Sequence, residues 1–283
     1  MGNSKAKIGL TGSALIALSL GGRTVIPEIS NPVTSFAGSL LAPWPNRIAG
    51  GTYAADGATL ELPINDGRGN ALHGLVFDAA GSAERITDSK VNIAHLIAPS
   101  SGYPWEVEVT STFELFENEI RVSYTAKNLS ETVAPIGLGA HPYFPIEFET
   151  QVEILAAKFS IHAENMIPVE ERATKELGLG PDARRLASEL NLDTQFSDFY
   201  QNNGGVVCRL FQGKNVTEIY QDPLGWLMVY TADDYPWLNG SGPAIAIEPQ
   251  TCAVDAFNNG KGLVRVKPGE SISLTWGVRT SLI

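Results

Sequence analysis

Two residues stand where a proton donor and a proton acceptor could be held in fixed positions. His141 lies in GLGAHPYF, between a glycine-rich apolar run and Pro142, and Glu248 closes the apolar run AIAI before Pro249. A carboxylate that ends such a run is costly to bury unless it is paired or used, and burial raises its pKa toward the range of a general base. The structural alternatives are a histidine in a turn and a glutamate in an ion pair.

Two further stretches place polar side chains in rigid or apolar surroundings. In LLAPWPNRIAGG, two prolines stiffen the backbone just before Asn46 and Arg47. The planar fork of an arginine suits fixed donation to oxygen atoms. In NALHGLVFD, His73 precedes a glycine, which permits a close backbone approach. An arginine in an ion pair at a sheet edge and a core histidine bonded to a carbonyl are the structural alternatives.

The motifs of several common enzyme and metal-site classes are absent from the sequence. It contains no His-x-His, HExxH or CxxC pair, no G-x-S-x-G segment, no P-loop and no glycine-rich dinucleotide fingerprint. The two cysteines, Cys208 and Cys252, lack metal-site spacing, and we expect reduced, buried thiols of a cytoplasmic protein. We therefore expect neither a metal ion nor a cofactor.

Charge and hydropathy exclude some partners. The 283 residues carry a net charge of -11, which disfavours nucleic acid and anionic membrane surfaces because phosphate binding needs a basic face. The run KAKIGLTGSALIALSLGG resembles a leader peptide, but Gly9 and Gly12 interrupt it. Its alternation predicts two short strands joined at Gly21 and Gly22 instead. No other run approaches the ~20 apolar residues of a membrane span.

Alternation of apolar and polar residues dominates the rest of the chain. WEVEVTSTFEL and IRVSYTAKN each place apolar residues on one face, which predicts a long antiparallel hairpin. The C-terminal stretches LVRV and SISLTWGVRT, joined by KPGE, follow the same scheme. TKELGLGPDARRLASEL is the best helix candidate, but Gly178, Gly180 and Pro181 limit it to a turn or two. We predict one all-β domain over residues 1–283, an antiparallel sandwich or barrel.

In their order along the chain, five segments resemble the aldose 1-epimerase (galactose mutarotase-like) family. They are PWPNRI, ALHG, AHPYF, FSDFY and IEPQT, and the match runs from about Leu40 to the C-terminus. Each segment alone is a weak signal, whereas five in order are specific. PWPNRI and EPQTCAVDAFN are most similar to a bacterial subgroup of the family. The resemblance implies a large antiparallel β-sandwich with few short helices, a sugar bound on a concave sheet, and a metal-free mechanism.

The resemblance also implies roles for single residues. Glu248 is the base that removes the proton of the anomeric hydroxyl, and His141 is the acid that protonates the ring oxygen. The ring then opens, the C1–C2 bond rotates, and reclosure gives the opposite anomer. We expect the two groups to face each other across a gap about as wide as one pyranose ring. The resemblance assigns sugar binding to four further residues: Asn46, Arg47, His73 and Asp198.

The sequence is also compatible with other functions. PIEFETQVEIL lacks the Asn-Leu that often follows the HPYF segment in galactose mutarotases, so the preferred monosaccharide is not fixed. A hexose-6-phosphate 1-epimerase would need a basic cluster, for which Arg68 is the only nearby candidate. A non-catalytic sugar-binding protein would need neither His141 nor Glu248. A glycoside hydrolase should show two carboxylates. We expect a monomer or a homodimer.

Overall fold

Antiparallel strands make up most of the protein. The computed structural model describes residues 2–201 and 203–283, and strands account for 56% of it against 6% for helices. This confirms the prediction of an all-β chain with few short helices. Among the described residues, no helix is long and apolar enough to cross a membrane.

The strands and helices have the following bounds in chain order. The first nine strands are β1 (Lys5–Ile8), β2 (Leu15–Leu20), β3 (Arg23–Ile26), β4 (Leu40–Leu41), β5 (Arg47–Ala49), β6 (Thr52–Ala55), β7 (Ala58–Glu61), β8 (Asn70–Leu72) and β9 (Ser82–Thr87). The next nine are β10 (Lys90–Ile97), β11 (Val107–Leu115), β12 (Glu119–Asn128), β13 (Ala134–Ile136), β14 (Gly139–Ala140), β15 (Tyr143–Pro145), β16 (Gln151–Ile154), β17 (Ala156–His162) and β18 (Pro168–Ala173). The last eight are β19 (Arg185–Leu186), β20 (Asp193–Phe199), β21 (Val206–Gln212), β22 (Asn215–Asp222), β23 (Trp226–Trp237), β24 (Gly240–Gln250), β25 (Val264–Val266) and β26 (Ser271–Leu282). Short 3-10 turns lie at Val33–Ser35, Thr174–Leu177, Ala187–Glu189 and Asn203–Gly205, and one α-helical turn, α1, lies at Ala256–Asn259.

Two large sheets form the body of the fold. The nine-stranded sheet runs β19-β16-β21-β22-β26-β12-β11-β10-β9, and the eight-stranded sheet runs β18-β17-β20-β23-β24-β14-β4, with β15 also on β24. Apolar residues of both sheets belong to one buried cluster, including Val109 of β11 and Ile245 of β24. This is the sandwich arrangement, in which the inner faces of two sheets share a core.

The predicted hairpins have mixed outcomes. β11 pairs with β12 in antiparallel register from Val107 opposite Asn128 to Leu115 opposite Ile120, as predicted. The pair β2 and β3 is also confirmed. The expected C-terminal hairpin is wrong, because β25 pairs with β13 while β26 lies between β12 and β22. β26 has 12 residues and lies between two long strands. It forms more cross-strand pairs with them than it could form with the three-residue β25.

The register around β24 decides which side chains meet. β14 and β15 both pair with β24, with Gly139 opposite Gln250 and Tyr143 opposite Ala246. Continued through the break between β14 and β15, this register sets His141 opposite Glu248. The His141 backbone is bonded elsewhere: its N–H donates to the Ser39 carbonyl at 3.1 Å, and its carbonyl accepts from Gly38 N–H at 2.8 Å.

Gly74 provides a test of how tightly this region is packed. Its φ is +77°, and a Cβ there would lie 2.1 Å from the Ala42 carbonyl oxygen. Gly57, in the turn between β6 and β7, has φ +80° with nothing within 4 Å of such a Cβ. We expect Gly57→Ala to cost about 1–2 kcal/mol through the left-handed backbone alone. Gly74→Ala adds an unavoidable clash, which raises the loss by roughly another 1–3 kcal/mol.

Urea unfolding of the two variants measures this difference. The prediction is contradicted if Gly74→Ala loses no more free energy of unfolding than Gly57→Ala does.

Candidate active site

His141 and Glu248 are in direct contact in the interior of the protein. His141 Nε2 lies 3.4 Å from Glu248 Oε1, and the two residues are 5% and 2% exposed. The expected gap of one pyranose ring is therefore wrong. Cross-strand neighbours on one face of a sheet hold their Cβ atoms about 5 Å apart, which leaves no room for a ring between them.

Burial sets the charge of this pair. It raises the pKa of Glu248 well above the ordinary glutamate value, and the nearby Asp193 carboxylate raises it further. It lowers the pKa of His141 to about 4, with a smaller lowering effect from Arg47. Between those two values the pair carries a single proton, which either side chain can hold. Gln250 Nε2 donates to the other glutamate oxygen, Oε2, at 3.2 Å.

His73 is fixed as a neutral hydrogen-bond donor. The Asn46 backbone N–H donates to His73 Nδ1 at 3.2 Å, and the His73 backbone N–H donates to the Asn46 carbonyl at 3.0 Å. Because Nδ1 accepts, the ring proton lies on Nε2. Burial and the neighbouring His141 hold the pKa of His73 well below its usual value. The two imidazole rings have centroids 5.1 Å apart and lie at 80° to each other.

The Arg47 guanidinium is held by the Asp66 carboxylate, which no sequence motif indicated. Arg47 Nε donates to Asp66 Oδ2 at 3.2 Å, and that carboxyl side chain is 1% exposed. Asp66 also accepts from Arg68 N–H at 2.8 Å, Asn70 N–H at 2.9 Å and Asn70 Nδ2 at 2.7 Å. The other end of the guanidinium is left for the cavity, where Arg47 Nη2 lies 3.9 Å from Asp193 Oδ2. No local sequence motif marks the link between Asp66 and Arg47, because Asp66 lies in the loop between β7 and β8 and Arg47 lies in β5.

Of the two aspartates on β20, the structure brings Asp193 to the site and not Asp198. Asp193 lines the same cavity as Glu248. The Asp198 side chain is 56% exposed and forms an ion pair with Lys158 Nζ at 2.7 Å. Its φ of +56° interrupts the alternation of the strand. The two aspartates are five positions apart on β20. The residues around FSDFY do not indicate that Asp193, and not Asp198, reaches the cavity.

The site residues surround a cavity of about 390 Å³. Its walls contain five of the six residues proposed from the sequence: Asn46, Arg47, His73, His141 and Glu248. Arg68, Asp193, Phe36, Tyr143 and Met228 complete much of the lining. A cavity of this size falls in the range of small-molecule sites, and its polar groups converge on the His141–Glu248 contact. The arrangement suits proton transfer to and from a polar ligand.

The same side chains are grouped as metal ligands often are. His73, His141 and Glu248 each offer one ligand atom within 4.8 Å of the others. Coordination through Nε2 of His73 would require the loss of the proton that the Asn46 N–H contact keeps on that nitrogen. The donor set is therefore a poor fit to a metal ion in this tautomer.

Comparisons with known proteins confirm the family resemblance. The family described as Aldose 1-epimerase matches residues 1–279. The Escherichia coli protein YihR is 27% identical over 288 residues, which cover 98% of this chain and 90% of YihR. The galactose mutarotase of Sus scrofa is 32% identical over 140 residues, which cover 48% of this chain and 40% of the mutarotase. This chain thus matches less than half the length of that enzyme.

A solved structure shows the same fold. The structure of a GalM/aldose epimerase homologue from C. elegans gives a TM-score of 0.84 at 18% identity, covering 99% of this chain and 96% of that one. The β-sandwich expected from the sequence is thereby confirmed.

The hydrogen bonds to Asp66 predict a pH-dependent contribution to stability. Burial opposes its ionisation, but the bonds from Asn70 and Arg68 and the charge of Arg47 outweigh it, so the pKa of Asp66 is lowered. A lowered folded-state pKa stabilises the protein above the unfolded value of about 3.9 and is lost as pH falls further. We expect Asp66→Asn to cost about 1–3 kcal/mol near neutral pH and less below about pH 4.

Urea unfolding at both pH values tests this, with Asp56→Asn as the matched control. Asp56 lies in the β6–β7 turn at φ +50°, a conformation that asparagine also tolerates. Equal losses for the two variants would contradict the prediction.

Proposed function

Because this chain belongs to the aldose 1-epimerase family, we propose that it is an isomerase that interconverts the α and β anomers of a free monosaccharide. The observation that carries the proposal is the contact of His141 Nε2 with Glu248 Oε1 at 3.4 Å in the wall of a sugar-sized cavity. A buried acid and base in contact are what anomer exchange needs, since one group must take a proton while the other gives one.

The short distance suits this reaction. Glu248 takes the proton of the anomeric hydroxyl while His141 protonates the ring oxygen. Both oxygens are bonded to the same carbon, C1, so the two protein groups need not be a ring width apart. The C1–O bond of the ring breaks, the aldehyde forms, and rotation about C1–C2 presents its other face. Reclosure returns both protons with the roles of Glu248 and His141 exchanged.

The single proton of the pair must lie on His141 when the reaction starts. Burial favours the proton on Glu248, as the carboxylic acid, over the ion pair. Transfer across the 3.4 Å contact conserves net charge and gives carboxylate and imidazolium. The positive charge of Arg47 lowers the pKa of both Glu248 and His141, so it favours the state of the pair that holds fewer protons. Each proton transfer to or from the sugar contributes about 10²–10⁴-fold in rate.

Sugar hydroxyls would be fixed by the other polar groups of the cavity. Arg47, held by Asp66, donates from its free end, and His73 donates from Nε2. Asp193 accepts, and Asn46 is close enough to Arg47 to share a ligand oxygen with it, since Arg47 Nη1 reaches Asn46 Oδ1 at 3.4 Å. We assign the sugar-binding aspartate to Asp193 in place of Asp198. Orientation of this kind contributes through positioning more than through affinity.

The same geometry gives less support to the two alternative functions, a hexose-6-phosphate 1-epimerase and a non-catalytic sugar-binding protein. A hexose-6-phosphate 1-epimerase needs a basic cluster, and Arg68 is the one cation beside Arg47 in the described cavity wall, with Nη1 donating to the Glu164 carbonyl. A binding protein without activity has no use for a buried acid next to a base. The cytoplasmic location and the state as a monomer or homodimer stay predictions.

Substitution of the two central residues tests the roles. We expect Glu248→Gln and His141→Asn each to lower the mutarotation rate by about 10²-fold or more, because each removes one proton-transfer group. Polarimetry or NMR of anomer exchange on galactose, glucose and a hexose 6-phosphate measures it against the spontaneous rate.

Asp198→Asn and Asp193→Asn form a matched pair for the binding assignment. Asp193→Asn should raise KM, whereas Asp198→Asn should leave the rate intact. Wild-type protein that accelerates none of the aldoses would overturn the proposed function, and full activity of Glu248→Gln would overturn its roles.

The pH dependence of kcat/KM provides a second test. As pH falls through about 4, the value for His141, the pair gains a second proton and loses its base. As pH rises through the elevated pKa of Glu248, the pair loses its only proton and with it the acid. We expect a bell whose acid limb lies near 4 and whose alkaline limb lies well above the ordinary carboxyl range, each limb belonging to the coupled pair. An acid limb near the ordinary histidine value of about 6.5 would contradict this.

A further inference from the structure

The orientation of the His141 ring has no hydrogen-bonding side chain behind it. Nδ1 is buried without a hydrogen-bond partner among the described residues. Histidines that work through one ring nitrogen usually have the other one fixed by a hydrogen bond. Instead of such a hydrogen bond, the His141 imidazole has aromatic rings around it.

We propose that Phe36 and Tyr143 are positioning residues that hold the His141 ring against Glu248 by aromatic packing. The Tyr143 ring stacks on His141 with centroids 5.1 Å apart and planes at 28°. The Phe36 ring lies at 6.3 Å and 29° from His141 and at 4.7 Å from His73. These distances are those of attractive aromatic pairs. We call Phe36 and Tyr143 the aromatic clamp.

Further contacts connect Tyr143 to Phe36 on the far side of the clamp from His141. Tyr143 stacks on Tyr235 at 4.2 Å and 25°. The Tyr235 hydroxyl lies 3.2 Å from Ser35 Oγ, and Ser35 precedes Phe36 in the chain. The contacts therefore form a closed circuit that begins and ends at His141. Phe36 has φ +55°, an unusual conformation for a bulky residue, which the surrounding contacts maintain.

The aromatic clamp also limits the access of water to the His141 imidazole. His141 faces Glu248 from β24, His73 from the segment after β8, and the charge of Arg47 from β5. Phe36 and Tyr143 lie nearly parallel to the His141 ring, at 29° and 28°, whereas the His73 ring meets it at 80°. Burial is the largest cause of the low His141 pKa, so a smaller residue in either position admits water and lets that pKa rise.

Leucine substitutions test the clamp. In NMR titration of the four histidines, assigned with His141→Asn, we expect the His141 pKa to rise from about 4 toward its ordinary value in Tyr143→Leu and in Phe36→Leu. Tyr143→Phe keeps the ring and should keep the low pKa. Phe159→Leu, at a buried phenylalanine outside the cavity wall, controls for general loss of packing. Thermal unfolding of each variant shows that the titrated protein is folded.

Kinetics give an independent readout, which rests on the proposed function. A misplaced acid lowers kcat by about tenfold or more while KM changes little. An unchanged His141 titration in both leucine variants would overturn the clamp, as would equal shifts in Tyr143→Phe and Tyr143→Leu. Since the titration uses the protein without sugar, it succeeds or fails separately from the mutarotase assignment.

Discussion

The antiparallel register of β24 with the two short strands β14 and β15 is the constraint on which the site depends. It sets His141 and Glu248 opposite each other on neighbouring positions of one sheet. Pro142 follows His141 within the break, so the ladder there is incomplete and the His141 backbone bonds instead to Gly38 and Ser39. A slip by one residue would turn either side chain to the other face of the sheet.

The electrostatic properties of the pair follow from that placement. Two titratable groups that are buried side by side favour the state in which together they hold one proton, because either extra charge would be poorly solvated. Arg47 is a cation near this pair, and its charge lowers the pKa of both groups. Its own position is set by Asp66, so a loop carboxylate outside the cavity lining bears on the charge of Glu248.

The periodic parts of the sequence predicted the fold well. The alternation in β11 and β12 specifies both the burial and the pairing of these strands, since each strand has a polar and an apolar face. The C-terminal hairpin failed because strand partners are chosen by the whole sheet, and β26 found two long neighbours far along the chain. Local turn signals carry no information about such partners.

The site was predictable in its types of residue but not in all its contacts. Rigid or apolar surroundings pointed to His141, Glu248, His73 and Arg47, because polar groups are expensive there. The choice between Asp193 and Asp198 depends on a single interruption of strand alternation, which no pattern around FSDFY reveals. The closeness of His141 and Glu248 depends on cross-strand register, which is a long-range property.

The bonds of the His141 backbone have a consequence for how the protein acquires its site during synthesis. The chain that supports His141 at Gly38 and Ser39 is made early, His141 itself comes midway, and Glu248 on β24 comes late. Contacts between distant segments form slowly, because the entropy of closing long loops must be overcome first. A nascent chain that has not yet exposed β24 therefore has the histidine and its supports but no partner for it. The contact between His141 and Glu248 can form only once β24 has been synthesised.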